Sequence, residues 1–318
     1  MKLAITGGAG TLGSALVKKV IETSGSIKEI LVLSRDEKKH EELFHKMGKS
    51  SKIEFVVCDV RDKIALVKAL KGVSILIHTA ALKRVGNGEC FTEEYIKTNI
   101  EGTRNVLHAC EVNEIKQGLL VSTDKAVDPI NLYGATKFIA EKLWKAFQKK
   151  NSERRFAIVR YGNVLGSNGS VIQKWKKEKM PQVCEKSTRF FIRIEDAVDF
   201  CFFALCHAKG GEVFIKPSVR LAMNSLFKSL YNRRKSVKYN PKDFEKTDEI
   251  LVSHNERAEI FKFFDSYVIV DNCFDDTLNY WHTKENAKIF DEMRFMTFSS
   301  SAYQKTKESE IDALLSGI

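Results

Sequence analysis

The chain has 318 residues, long enough for two domains and a sizeable buried core. With 43% hydrophobic and 29% charged residues, 4 prolines and no apolar run near the ~18–20 residues of a helical membrane span, it excludes a helical membrane protein, a collagen-like fibre and a disordered tail. Lys plus Arg number 52 against 41 Asp plus Glu, a net charge of +11 that suits phosphorylated small ligands, nucleic acid or an anionic membrane surface.

Six short runs, nearly continuous in Val, Ile and Leu, predict strands at 2–6, 29–33, 53–58, 74–78, 118–122 and 156–160. Helical periods fall between them at 11–23, 36–47, 63–70, 92–112 and 131–150. Continuous rather than alternating apolar runs mark strands covered on both faces. The expectation is an α/β fold with a Rossmann-type doubly wound parallel sheet. Beyond Gly162 the pattern loosens, with helices expected near 171–179, 195–208 and 308–315 and strands near 212–215 and 267–270. Residues 1–165 read as a nucleotide-binding domain and 166–318 as a smaller substrate-binding region interleaved with it.

The first strand runs into Thr6-Gly7-Gly8-Ala9-Gly10-Thr11-Leu12-Gly13. Glycines at 7, 10 and 13 between a strand and an amphipathic helix allow a tight turn and let a pyrophosphate approach the backbone. The helix N-terminus then offers free N–H groups and a partial positive charge. Thr11 and Leu12 open that helix. The second strand ends in Ser34-Arg35-Asp36, where an NAD site usually places a carboxylate on the ribose hydroxyl. A hydroxyl followed by a guanidinium suits a 2′-phosphate, so NADP is expected, with Asp36 keeping NAD open. Asp59, followed by Val60 at the end of the third strand, is placed either to reach an adenine amino group or to cap the next helix. Ala80 and Ala81 follow the fourth strand along the same edge.

The fifth strand ends in Ser122-Thr123-Asp124-Lys125, and Tyr133-x-x-x-Lys137 follows on the next helix. Residues four apart share a helix face, so phenol and ammonium are neighbours. Lys137 is expected to lower the tyrosine pKa, and Tyr133 to take a proton from a substrate hydroxyl while a hydride leaves the same carbon.

With the glycine turn and the Tyr133/Lys137 pair, the chain resembles the extended short-chain dehydrogenase/reductases acting on nucleotide sugars. The run STDKAVDPINLYGATKFIAEKL resembles the C5-inverting UDP-N-acetylglucosamine 4,6-dehydratases. SRDEKKH, AALKRV, IKTNIEGT, RYGNVLGSNGSVI and STRFFIRIEDAV fit the same family, strongly over about residues 1–220. The resemblance implies a UDP-sugar substrate, oxidation at C4, loss of water across C5–C6 and hydride return to C6. It gives Thr123, Asp124 and Lys125 catalytic places, with Asp124 and Lys125 as acid and base. Retaining relatives carry Asp-Glu at those two positions. For the base role Lys125 must be partly neutral, and burial with nearby cations is expected to make it so. The resemblance points to Lys83, Asn163 and Arg189 for substrate, Arg189 on the diphosphate, and to Asn99 supporting the tyrosine through water. It also implies a homo-oligomer making sugars for surface glycans.

The chain departs from the family pattern in two places. ALKRVGNGEC replaces a proline-containing loop, and YNPKDFEKTDE at 239–249 keeps only Glu245-Lys246 of a nucleotide-contacting segment. Two other readings compete. A 4-epimerase on the same UDP-sugar would use Tyr133 but needs no C5 base. An NADP-sensing regulatory protein would typically lack the tyrosine–lysine pair. Basic stretches at 145–155, 174–179 and 233–235 interleave with acidic or apolar residues or sit at turns. No nucleic-acid motif accompanies them, so neither nucleic acid nor a membrane is expected as a partner. The sequence opens directly on MKLAITGG, so no secretory leader is expected. Seven cysteines without a CxxC pair read as reduced thiols of a cytoplasmic protein, and no metal is expected.

Overall fold

The computed structural model describes residues 1–318 apart from 24, 49, 232–234, 257, 291–297, 301–310 and 312–318. The helix expected at 308–315, Ile311 apart, and most of the basic stretch 233–235 lie outside the described residues. The six expected strands form: β1 Lys2–Thr6, β2 Glu29–Ser34, β3 Ile53–Val57, β4 Ile75–His78, β5 Gln117–Val121 and β6 Arg155–Arg160. The helices between them are α1 Thr11–Glu22, α2 Glu37–Met47 and α3 Lys63–Ala69, then α4 Val85–Cys90, α5 Thr92–Tyr95, α6 Gly102–Val112 and α7 Leu132–Lys150. Side chains set several starts: Asp36, Asp62 and Asn131 accept from the N–H groups of Lys39, Ala65 and Gly134.

Beyond β6 come β7 Asn163–Val164, α8 Val171–Lys177, β8 Gln182–Cys184, β9 Thr188–Ile192, α9 Ile194–His207, β10 Val213–Ile215, β11 Val219–Ala222 and α10 Met223–Leu230. β12 Val237–Tyr239, β13 Ile250–Val252, β14 Ala258–Phe263, β15 Ser266–Asp271, α11 Asp275–Thr283, β16 Ala287–Ile289 and β17 Phe298–Ser299 complete the described elements. The central sheet has ten strands in the order β16-β14-β15-β10-β6-β5-β4-β1-β2-β3. From β3 to β10 every pairing is parallel, and the last three strands join antiparallel. Strand order reverses between β1 and β4, which opens the crevice where doubly wound sheets bind ligands.

The inner strands read as continuous apolar runs because both faces are covered, while β3 at the sheet edge is only partly covered. Leu3, Ile5, Val32 and Ile77 pack with Leu16 and Val17 of α1 and Phe200 of α9. Ala4, Leu31, Leu76 and Leu120 pack with Trp144 of α7 and Phe156. Each large side chain so buried contributes about 1.5–3 kcal/mol. A third cluster, with Ile172, Trp175, Phe191 and Leu226, lies under the three-stranded sheet β11-β9-β7.

Two differences from the sequence reading bear on the site. The single helix expected at 92–112 is α5, a wider π-helical segment Ile96–Glu101 and α6. Wider turns of this kind re-aim side chains, and here the segment carries Asn99 inward. The strand expected at 267–270 forms as β15 and extends the central sheet beside β10, a placement the sequence reading did not give.

Candidate active site

At the end of β1 the backbone itself makes a cradle. Gly7 has φ of +68°, and a Cβ there would lie 2.9 Å from the backbone of Ala80 beyond β4. A Cβ on Gly13 would lie 2.5 Å from Gly7 O and Gly8 Cα. Only glycine permits this turn. Gly10 caps α1 without any side chain occupying the first N–H groups, so the helix start is open to an anion. The cradle fits a diphosphate. Thr11 Oγ1 accepts from Asn168 N at 3.1 Å, which draws the loop after β7 over the turn. Leu12 is half-buried next to Thr11, and Ala80 and Ala81 continue from β4.

Ser34, Arg35, Asp59 and Val60 gather at the neighbouring ends of β2 and β3. Ser34 Oγ accepts from Asp36 N at 3.3 Å, and the Arg35 side chain is 49% exposed. Asp36 is occupied as the α2 cap and by Lys39 Nζ at 3.0 Å. Asp59 is not the cap of the next helix, because Asp62, three residues nearer to α3, accepts from Ala65 N in that place. Burial raises the Asp59 carboxyl pKa, but Arg61 more than offsets this with three bonds of 2.7–3.0 Å, and the net direction is down. Its carboxylate therefore ties this edge together, with Arg35 at 3.7 Å.

The acid–base candidates stand where β5 ends. Thr123 starts a short 3-10 turn and donates its hydroxyl to Asp124 Oδ1 at 2.8 Å. Asp124 is fully buried. Lys125 Nζ donates to Asp124 Oδ1 at 3.1 Å and to Asn163 Oδ1 at 3.2 Å, and Glu249 Oε1 lies 3.1 Å away. Three acceptors thus surround a group with three protons. Burial alone would lower the Lys125 pKa, but Asp124 and Glu249 outweigh it and hold the ammonium above its ordinary range. This corrects the expected neutral tendency: anions, not cations, dominate its surroundings. Asp124 moves up, chiefly through burial and against the pull of Lys125.

Tyr133 and Lys137 are both buried on α7. Burial pushes the phenol up to about 12, against the opposing effect of Lys125. Lys137 is not the cation acting on it, contrary to the spacing argument. Its Nζ donates to Val121 O at 2.8 Å, and burial pushes it down to about 8 with Glu141 opposing. The i, i+4 rule places two residues on one face but does not aim their tips. Asn99 is buried, and its amide exchanges bonds with Leu82 N and O at 2.8 and 2.9 Å and donates to Thr136 Oγ1 at 2.9 Å. It staples the loop after β4 to α7.

Of the expected substrate residues, the structure brings Asn163 and Arg189 to this cluster and leaves Lys83 bonded to the loop after β7. Lys83 Nζ donates to Ser167 Oγ at 3.3 Å. Asn163 bridges Lys125 and Phe190 O. Arg189 turns inward, donating to Thr188 O and Thr247 O at 2.8 and 3.0 Å, with Nε 3.6 Å from Glu249. Lys246 donates to Val127 O.

The sequence reading missed Glu249 and a buried network behind the site. Arg160 donates to Glu141 at 2.7 Å, to both Glu256 oxygens at 3.0 Å and to Leu251 O at 2.9 Å. Ser122 also donates to Glu141. A signal for Glu141 was present, four residues beyond Lys137 on the same face of α7. None pointed to Glu256.

A family model described as polysaccharide biosynthesis protein matches residues 3–270. The UDP-N-acetylglucosamine 4,6-dehydratase (inverting) of Campylobacter jejuni is 37% identical over 273 residues, 83% of this chain and 81% of that protein. The UDP-glucose 4-epimerase of Rickettsia rickettsii is 36% identical over 280 residues, 84% and 82% of the two chains. The solved structure of Pen from Bacillus thuringiensis superposes with a TM-score of 0.86 at 28% identity, covering 100% of this chain and 97% of that one. The dTDP-glucose 4,6-dehydratase of Streptomyces venezuelae, solved with NAD, shares the fold at a TM-score of 0.69, with 19% identity and coverage of 78% and 87%. The chain belongs to the polysaccharide biosynthesis protein family.

Proposed function

We propose that the protein is a UDP-N-acetylglucosamine 4,6-dehydratase of the C5-inverting type, making a 4-keto-6-deoxy sugar nucleotide for surface glycans. The observation that carries this reading is the buried Asp124–Lys125 pair, 3.1 Å apart at the strand end beside Tyr133. The inverting relative at 37% identity supports it. A 4-epimerase has its own support in relatives named UDP-glucose 4-epimerase, but would give a buried acid–base pair nothing to do.

A nicotinamide dinucleotide on the glycine cradle would supply hydride acceptance from C4 and its return to C6. Gly7, Gly10, Thr11, Leu12 and Gly13 would hold its diphosphate, with Ala80 and Ala81 beside it. We propose NADP, because Arg35 is exposed and Ser34 precedes it while Asp36 is already engaged by Lys39. Tyr133 takes the C4 hydroxyl proton as general base, with Thr123 and Lys125 favouring its ionised form.

The resting pair is ammonium and carboxylate. Moving one proton along the existing 3.1 Å bond turns Lys125 into a neutral amine and Asp124 into a carboxylic acid. Asp124, already shifted upward by burial, is suited to receive it. Lys125 then takes the C5 proton, Asp124 gives its proton to the leaving C6 hydroxyl, and water departs. Both groups return to their resting forms, and the proton gained by Tyr133 equals the one C5 takes back. Lys83, Asn163 and Arg189 would hold the UDP-sugar.

We further propose residues 1–165 as the cofactor half and 166–318 as the substrate half, in a cytoplasmic homo-oligomer. No described helix is long and apolar enough to cross a membrane. A proton NMR time course with UDP-N-acetylglucosamine in D₂O tests the reading. A new C6 methyl signal with deuterium at C5 supports it. A UDP-N-acetylgalactosamine pattern without a methyl replaces it with the epimerase, and no turnover of any nucleotide sugar favours a regulatory role. Comparing the Kd for NADP and NAD decides the cofactor.

A further inference from the structure

Glu249 precedes β13, far along the chain from Lys125, yet its Oε1 lies 3.1 Å from Lys125 Nζ and 3.6 Å from Arg189 Nε. Its side chain is only 3% exposed. The main chain is pinned independently: Glu249 N donates to Ser300 Oγ at 2.9 Å, and Ser300 N donates to Glu249 O at 2.8 Å. The following segment is clamped by Arg160, which holds Leu251 O and Glu256, while Ser253 N donates to Glu256 at 3.1 Å. The backbone therefore needs nothing from the carboxylate, which is free to serve Lys125.

The unused atoms carry the argument further. Glu249 Oε2 and Asp124 Oδ2 are both buried without a hydrogen-bond partner among the described residues. Leaving a buried carboxylate oxygen unsatisfied is costly, so a purely structural ion pair would use both oxygens of each acid. Two half-used carboxylates around one ammonium describe instead a site that waits for a further donor and exchanges protons. The formal charges of Asp124, Glu249, Lys125 and Arg189 sum to zero, so Glu249 is the anion that lets two half-buried cations stand together.

We infer that Glu249 is the positioning residue of the acid–base pair, holding the Lys125 side chain so that one of its protons lies on Asp124. The inference rests on the 4,6-dehydratase reading for its effect on turnover, but the contact can be measured without it. Besides Glu249 and Asp124, the titratable and charged groups acting on Lys125 are Arg189 from β9, Tyr133 from α7 and Lys246 from the preceding loop. The net effect favours the ammonium.

The test has two readouts. The first follows the ε-¹³C lysine signals of the ligand-free protein through a pH titration, with Lys125 assigned by its loss in Lys125→Met. The wild-type signal should stay protonated through pH 10.5, and Glu249→Gln should lower its midpoint by about one unit or more, a tenfold change in ionisation. An unchanged or raised midpoint overturns the inference. The second readout is C6 methyl formation. Glu249→Gln should reduce kcat about tenfold or more with a smaller change in KM, and its pH profile should shift to lower pH. A change in KM alone overturns a positioning role. If the glutamine variant fails to fold, Glu249→Asp keeps the charge at a shorter reach: Lys125 should remain protonated while kcat falls, and wild-type turnover overturns the inference. A wild-type protein that makes no C6 methyl product defeats the dehydratase reading, while the titration still decides the contact.

Discussion

The glycine cradle and the acid–base cluster lie along one edge of the same sheet but are built on opposite principles. The cradle is one stretch from Thr6 to Gly13, uses main-chain groups, and carries no side-chain charge. The cluster draws Asp124 and Lys125 from the end of β5, Asn163 from β7, Arg189 from β9 and Glu249 from before β13, and works through buried charges. A backbone site is fixed by local conformation, so it tolerates remote change and fails when one Cβ is added. A buried charge cluster is fixed by mutual compensation, so it fails when any one partner is removed.

The largest expected effect would break the cluster at its centre. Lys125→Ala should abolish C6 methyl formation, by about 10⁴-fold at the upper range for a general acid–base group, while C4 oxidation continues more slowly because Tyr133 loses the cation that favours its ionised form. Single-turnover absorbance of the reduced cofactor against methyl NMR checks the split, and unchanged dehydration removes Lys125 from the base role. Tyr133→Phe should act earlier, slowing C4 oxidation itself by about 10³-fold, so both signals fall together. Turnover at the wild-type rate would contradict its assignment.

Behind the cluster, Arg160→Met would strand Glu141 and Glu256 without their shared guanidinium. A loss of about 3–5 kcal/mol in denaturant unfolding is expected, the cost of uncompensated buried charge. A loss under ~1 kcal/mol would mean that the network is not what ties 251–256 to α7. In the cradle, Gly13→Ala would place its Cβ 2.5 Å from Gly7 O. It should weaken dinucleotide binding by about 100-fold in calorimetry, the size of one lost charge-assisted hydrogen bond, with little change in stability at the cluster.

The last effect is pH-dependent and sharpens the contrast, because it concerns a neutral buried group between the two sites. His78 bonds to Thr6 Oγ1 at 2.6 Å and Thr103 Oγ1 at 3.2 Å and stacks on Trp144. Burial, with Lys137 adding, pushes its ring down to about 3 from an ordinary 6.5. Between those values the unfolded chain binds the extra proton, so stability rises with pH across that window. It is complete above pH 6.5 and lost as pH falls towards 3. A His78→Gln variant should flatten this slope in thermal unfolding, and an identical slope would assign acid sensitivity to other groups.

Much of the molecule was legible because its signals are local. The runs 2–6 and 74–78 became β1 and β4 because apolar continuity reports burial on both faces, whereas 53–58 became the partly exposed edge strand β3. Gly7, Gly10 and Gly13 stood out because the turn they make leaves no room for a Cβ. Asn99 was visible as a polar residue inside a helix, but its partners Leu82 and Thr136 were not, since a π-helical segment re-aimed it. The Tyr133/Lys137 spacing correctly placed both on one buried face, yet their electrostatic coupling did not follow: Lys137 reaches Val121 O while Lys125 acts on the phenol. The degraded stretch 239–249 concealed Glu249, because a pattern read along the chain cannot show which buried atom a side chain will meet.

The sequence by itself determined the order of strands and most helices through β6, the glycine turn, and the presence of an acid and a lysine at the end of one strand with a tyrosine on the helix that follows. Periodicity, chain stereochemistry and short-range spacing are enough for that. The tertiary structure decided the state of those groups. Whether Lys125 is ammonium or amine depends on Asp124, Asn163 and Glu249 meeting it at about 3 Å where burial weakens screening, and Coulomb forces there act between residues that the chain keeps far apart.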